Sequence, residues 1–183
     1  MNLPNKLTIF RICLVPFFVF FLFSNLKYGQ YIAVSIFILA SLTDTLDGHI
    51  ARSRNLITTF GKFMDPLADK ILVSAAFISL VELGKVPSWI VIIIISRELA
   101  ITGFRTVAVS EGVTIAADTA TVLKMKTVTQ LIAIIALLLN NYPFSLINFP
   151  FDKIMLYISV VFTIISGVNY IYVNRKVLKS EKK

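Results

Sequence analysis

Six apolar runs, near residues 7–24, 31–51, 61–83, 87–109, 121–140 and 153–173, alternate with short polar breaks, and this repetition constrains the chain more than any single residue does. A helix crosses the hydrocarbon core of a bilayer with about 20 residues. Each run is close to that length. Stretches such as YIAVSIFILASL and WIVIIIIS are continuously apolar, without the strict alternation that a barrel strand requires. The breaks, at Asn25–Gln30, Ser53–Phe60, Gly84–Pro87, Ser110–Asp118 and Asn140–Asp152, collect Gly, Pro, Asn and charge. The pattern predicts an all-α integral membrane protein, a bundle of six transmembrane helices. Composition agrees: 57% of the 183 residues are hydrophobic and only 15% are charged, a balance rare in soluble domains.

Internal repeats, low-complexity tracts and long linkers are absent, so residues 1–183 read as one membrane domain with a short basic tail from about residue 174. The first apolar run lacks a small-residue cleavage site and leads straight into further apolar segments, so it is expected to be retained. The net charge of +8 does not point to nucleic acid, because most cations flank apolar runs; anionic lipid or phosphate is the better partner. Cys13, the single cysteine, reads as a small core or lipid-facing residue.

Lys and Arg set the expected orientation. With a cytoplasmic amino terminus, one side receives Lys6, Arg52, Arg54, Lys62, Lys124, Lys126 and the tail, and the other only Lys27, Lys85 and Lys153. Both termini are therefore expected in the cytoplasm. Tyr28, Tyr31, Trp89 and Tyr142 then fall at the outer interface, where aromatic side chains collect.

Several runs reach spanning length only by including ionisable residues. A charge near the bilayer centre costs roughly 3 kcal/mol on insertion scales, so it is expected to face a partner or a cavity. Internal ion pairs such as Asp69 with Lys70 or Arg97 with Glu98 are one solution. Four regularly spaced aspartates strain it. Asp44 and Asp47 are three apart and Asp65 and Asp69 four apart, so each pair shares a helix face about a turn apart. Bringing the pairs together requires protonation or cations, and two divalent ions would supply the balancing charge. With oxygen ligands, no neighbouring Cys and only His49 close by, the set favours Mg²⁺ or Mn²⁺ over zinc. His49 is expected to border the site or to pack against a neighbour. Gly48 and Gly61 leave room where something bulky can approach, or serve helix packing. Arg52, a turn beyond Gly48, can reach a phosphate on the metals or snorkel to the interface. Pro66 marks either a first turn capped by Asp65 or a kink inside a helix that begins near Gly61.

Together these residues spell Asp44-x-x-Asp47-Gly48-x-x-Ala51-Arg52, eight residues, Gly61-x-x-x-Asp65-x-x-x-Asp69. The pattern closely resembles the signature of the CDP-alcohol phosphatidyltransferase family, with every fixed position filled. PNKLTIFR, GKFMDPLADKILVSAA, ISRELAITGFR and LKMKT extend the likeness over most of the chain, to bacterial members whose acceptor is sn-glycerol 3-phosphate. One departure is Leu123, which stands where those members often have glycine before Lys124-x-Lys126-Thr127.

The resemblance implies a six-helix bundle, usually dimeric, preceded by a short N-terminal amphipathic segment. It also implies transfer of a phosphatidyl group from CDP-diacylglycerol to an alcohol, with release of CMP. Asp44, Asp47, Asp65 and Asp69 would hold the metal ions, and Asp69 would also be the base that accepts the acceptor's hydroxyl proton. Gly48, Arg52 and Gly61 would line the CDP site. Glycerol 3-phosphate brings its own dianion, for which Arg97, Arg105, Lys124 and Lys126 are candidates, set against ordinary positive-inside bias. Two other readings stay open at this level: the same chemistry with serine, an inositol phosphate or phosphatidylglycerol as acceptor, and a divalent-cation carrier.

Overall fold

The computed structural model describes residues 3–53, 59–110 and 120–174; within them, the side chains of residues 3–5, 44–53, 59–66, 69, 106–110 and 120–124 are not among those described. The described residues are all-helical: α1 (Leu3–Phe23), α2 (Gly29–Ser53), α3 (Thr59–Glu82), α4 (Ser88–Ser110), α5 (Ala120–Leu138) and α6 (Phe151–Val173). Each expected run is one of these helices. The largest shift is at α1, which starts at Leu3 rather than near residue 7. The polar residues ahead of the first apolar run are its opening turns, so among the described residues no separate amphipathic segment precedes it. Pro16 lies inside α1 without ending it, as apolar helices tolerate where neighbours compensate the freed carbonyl.

Two described stretches, Lys6–Phe23 and Phe151–Val173, are long and apolar enough to cross a membrane by themselves. Gly29–Thr43 and Met125–Leu138 are shorter apolar stretches. The first stops just before Asp44 and the second starts between Lys124 and Lys126.

The helices fall into two compact units. In the first, Met1–Lys85 with Leu138–Asn140, α1 packs along α2 and α3, and α2 also meets α3. Its core stripe on α1 is Thr8, Arg11, Phe18 and Leu22; on α2 it is Ala33, Phe37 and Ala40; on α3 it is Leu72, Ala76 and Ser79. The three- and four-residue spacings put each set on one helix face. Phe18 meets Phe37 with ring centroids 5.9 Å apart, while the alanines let the backbones approach.

The α3 C-terminus ends in a Schellman motif: the Gly84 N–H donates to Val81 O and the Lys85 N–H to Leu80 O, each at 2.9 Å. Gly84 sits at φ +69°, which a side chain resists.

In the second unit, Val86–Leu137 with Asn141–Lys183, α4 packs on α6. The α5–α6 connection holds an unexpected 3₁₀ turn, Phe144–Ile147. Asn141 closes this connection: its Nδ2 donates to Phe149 O at 2.7 Å, and its Oδ1 accepts from the Asp152 N–H at 3.1 Å. Phe144 stacks on Phe151 at 4.3 Å. Tyr28, Tyr31, Trp89 and Tyr142 are all exposed and lie at helix ends, next to the α1–α2, α3–α4 and α5–α6 turns.

A Cβ at Gly84 would meet nothing within 4 Å, so a substitution there tests backbone strain alone. Gly84→Ala is expected to lower stability by about 1 kcal/mol, the cost of a left-handed residue, read as a lower thermal midpoint in detergent with unchanged activity.

Candidate active site

In the first unit, α2 carries Asp44, Asp47, Gly48, His49 and Arg52 in its last turns, and α3 carries Gly61, Asp65 and Asp69 in its first. Their side chains are outside the described ones, as is the Asp69–Lys70 pair considered above; their backbone positions are helical. Helix register is then decisive. At 100° per residue, Asp44 and Asp47 stay within about 40° of the Ala33, Phe37 and Ala40 face, and Asp65 and Asp69 hold the same relation to Leu72, Ala76 and Ser79. Both aspartate pairs prolong stripes whose described members are buried. Residues 54–58 link the two helices, so the end of α2 and the start of α3 are no more than about 20 Å apart. Because α3 starts at Thr59, Pro66 is inside the helix and Asp65 is not its cap, which decides between the two expected geometries.

Two residues of the PNKLTIFR segment, to which the sequence pattern gives no role, lie in this unit. Thr8 and Arg11 are each only 1% exposed, on the α1 stripe that packs against α2 and α3. An arginine buried among apolar helices requires anionic company. Within residues 1–85 the acids are Asp44, Asp47, Asp65, Asp69 and Glu82, and Glu82 is exposed at the far end of α3. The 3,4 spacing of Thr8, Arg11, Phe18 and Leu22 was a legible signal for this inward face.

The second unit holds a polar cluster within otherwise apolar helices. Lys126 on α5, 4% exposed, is ion-paired with the Glu98 carboxylate of α4. Arg97 Nη1 lies 3.4 Å from the same carboxylate oxygen, and Arg97 Nη2 donates to Ser166 Oγ on α6. One helical turn along α5 from Lys126, Gln130 Nε2 donates to Thr163 Oγ1 at 3.1 Å. Further along α4, the Arg105 guanidinium lies 5.9 Å from the centroid of the Tyr170 ring, which Phe104 meets edge-on at 5.8 Å. The matched order, Arg97 at Ser166 and Arg105 at Tyr170, shows that α4 and α6 run in the same direction. Of the four cations expected to serve the acceptor phosphate, Arg97 and Lys126 meet through Glu98, and Arg105 lies farther along the α6 face. The side chains of Lys124 and Leu123 are outside the described ones.

The first unit thus carries four aspartates at helical spacing, and the second a cluster of Arg97, Glu98 and Lys126. The profile of the CDP-alcohol phosphatidyltransferase family matches residues 1–165, a span that contains every one of these residues except Ser166 and Tyr170. The chain belongs to the CDP-alcohol phosphatidyltransferase family. A Bacillus subtilis relative, named CDP-diacylglycerol–glycerol-3-phosphate 3-phosphatidyltransferase, is 47% identical over 98% of each chain. Relatives of the same name from Rickettsia bellii and Wigglesworthia glossinidia brevipalpis are 36% and 35% identical, over 92% and 94% of this chain and 93% and 94% of theirs. Transferases of this family are generally dependent on divalent metal.

Glu98 is the shared counter-charge of the buried Lys126 and the half-buried Arg97. Removing one partner of such a set leaves charge uncompensated, typically at about 3 kcal/mol or more. Lys126→Met is therefore expected to lower the thermal midpoint clearly, and Lys126→Met combined with Glu98→Gln to recover part of the loss, as read by unfolding in detergent.

Proposed function

We propose that this chain transfers the phosphatidyl group of CDP-diacylglycerol to sn-glycerol 3-phosphate, giving phosphatidylglycerophosphate and CMP for phospholipid biosynthesis. The observation that carries this reading is the register of the four aspartates, which continue the inward stripes of α2 and α3 at one end of a helix pair. The name carried by the relatives at 35–47% identity supports the same donor and acceptor.

Asp44, Asp47, Asp65 and Asp69 form an all-carboxylate donor set of the kind that holds a hard divalent cation, so the residues fit Mg²⁺ or Mn²⁺, read here as two ions. Such ions supply charge neutralisation at the pyrophosphate. Arg11 adds a buried positive charge facing α2 and α3 and offsets part of the aspartates' mutual repulsion. Gly48 and Gly61 give the cytidine nucleotide room, and Arg52, a turn beyond Gly48, meets its phosphate. Arg97 and Lys126, with Arg105 and Lys124 nearer the cytoplasmic side, hold the phosphate of the acceptor. Asp69 takes the proton of the glycerol hydroxyl as that oxygen bonds to the phosphatidyl phosphorus and the phosphorus–oxygen bond to CMP breaks. A phosphorylated acceptor is favoured over serine by the cluster around Glu98, where the buried Lys126 and the half-buried Arg97 lie against one carboxylate.

All six helices are read as spanning the membrane, with both termini and the site on the cytoplasmic side. Residues 1–183 act as one domain, a reading supported by a family match that runs without a break from the first unit into the second. The working form is read as a homodimer, and nucleic acid is not a partner.

Purified protein supplied with CDP-diacylglycerol is expected to release CMP with glycerol 3-phosphate and not with serine, inositol phosphate or phosphatidylglycerol, and to stop when the metal is chelated. Asp69→Asn is expected to lower kcat by about 10²–10⁴ with little change in KM. Full turnover by that variant would remove Asp69 as base, and absence of metal-dependent CMP release with every acceptor would overturn the transferase reading. Orientation is checked with Cys13 replaced by Ser: an impermeant thiol reagent is expected to label Lys179→Cys only from the cytoplasmic face and Tyr142→Cys only from the opposite one.

A further inference from the structure

Among the described residues, Gly167, Ser166 and Glu98 hold Arg97, and none of them is a ligand for substrate in the reading above. Its stem runs over Gly167, where a Cβ would sit 3.1 Å from Arg97 Cγ and 3.6 Å from Nε. A contact of 3.1 Å is tighter than most that a Cβ makes, so a side chain at this position makes the stem give by a few tenths of an ångström. Its Nη2 is anchored on Ser166 Oγ, the residue next to Gly167. Its Nη1 faces the Glu98 carboxylate, which also holds Lys126. The same short stretch of α6 thus offers a gap for the aliphatic stem and an acceptor for the tip.

The energetics favour a positioning role over a packing one. The Arg97 and Glu98 side chains are 10% and 16% exposed, and that of Lys126 5%, so the three charges interact with little screening by water. Two cations brought to one carboxylate suit the recognition of an anionic phosphate better than that of a neutral alcohol. An arginine fork recognises phosphate through its orientation as well as its charge. A small rotation of the guanidinium therefore weakens phosphate recognition more than it weakens folding.

We propose that Gly167, Ser166 and Glu98 are positioning residues that seat Arg97 and Lys126 as a phosphate-reading pair, and that they thereby set the selectivity of the enzyme for a phosphorylated acceptor. This rests on the reading of Arg97 and Lys126 as ligands of the acceptor phosphate. The three residues act through the two cations and do not touch the reacting atoms. Glu98 holds the pair at a fixed separation, Ser166 sets the rotation of the guanidinium plane, and Gly167 admits the stem at the height this requires.

The test is steady-state kinetics on the full-length protein in detergent–lipid micelles, with KM for glycerol 3-phosphate, KM for CDP-diacylglycerol and kcat measured separately for wild type, Gly167→Ala, Ser166→Ala and Glu98→Gln. Loss of a charge-assisted contact corresponds to about a tenfold effect, so KM for glycerol 3-phosphate is expected to rise about tenfold in Gly167→Ala and Glu98→Gln, and less in Ser166→Ala. KM for CDP-diacylglycerol is expected to stay within about twofold, as a change confined to acceptor binding requires. The advantage of glycerol 3-phosphate over phosphate-free glycerol as acceptor, by competition, is expected to narrow by the same factor as the KM rise. Ser166→Ala removes one oxygen and keeps the test open if the other variants fold poorly. An unchanged KM for glycerol 3-phosphate in all folded variants, or an equal rise in both KM values, overturns the proposal while leaving the transferase reading intact. A wild-type protein that releases no CMP with glycerol 3-phosphate overturns that reading and this one with it.

Discussion

A charge placed inside an apolar helix must be compensated within the protein, because neither lipid nor an apolar core offers it anything, and the placement of everything else in this chain follows from that requirement. Lys126 illustrates it: a primary ammonium that is 4% exposed is tolerable because Glu98 reaches it from the neighbouring helix. Glu98 is in turn tolerable because Arg97 and Lys126 surround it. The same logic applies in the first unit, where Arg11 is buried on the α1 face that packs against the two aspartate-bearing helices. Charge therefore selects which helix faces meet, and the apolar residues between the charges fill the space.

Function and stability draw on the same residues. An interior of leucine and alanine would pack these helices without ion pairs, and replacing buried pairs by apolar residues of like volume is often neutral or favourable. In the proposed function the charged residues stay because phosphate esters have to be bound among apolar helices, where water competes little. The two described stretches that suffice as spans by composition alone, in α1 and α6, bracket the four helices that bear the proposed aspartates and acceptor-phosphate cations. Lipid compatibility is concentrated in the outer members of the sequence, and chemistry in the middle.

Much of this was legible before any coordinates. The six runs correspond to the six helices because a long apolar segment in a polypeptide satisfies its backbone most simply as a helix. The aspartate spacing already implied a shared face, and the unbroken course of α2 through Gly48 and of α3 through Pro66 preserves it. The 3₁₀ turn at Phe144–Ile147 was not legible, since it depends on Asn141 closing the connection onto Phe149 and Asp152. Arg97 with Glu98 was foreseen as a pair of sequence neighbours. That Lys126, 28 positions further on, shares the same carboxylate was not.

The sequence by itself determined the helical class, the helix limits to within a few residues, the family, and the aspartate faces, because each of these depends on local period or on a contiguous motif. Packing between helices, and not the sequence, decides that Thr8 and Arg11 point inward, that α4 and α6 lie side by side, and that the Arg97 stem passes over Gly167. Those facts depend on which faces of separate helices come together. Helix periodicity fixes the angular position of a side chain on its own helix, but the partner across the gap is set by packing between segments far apart in the chain.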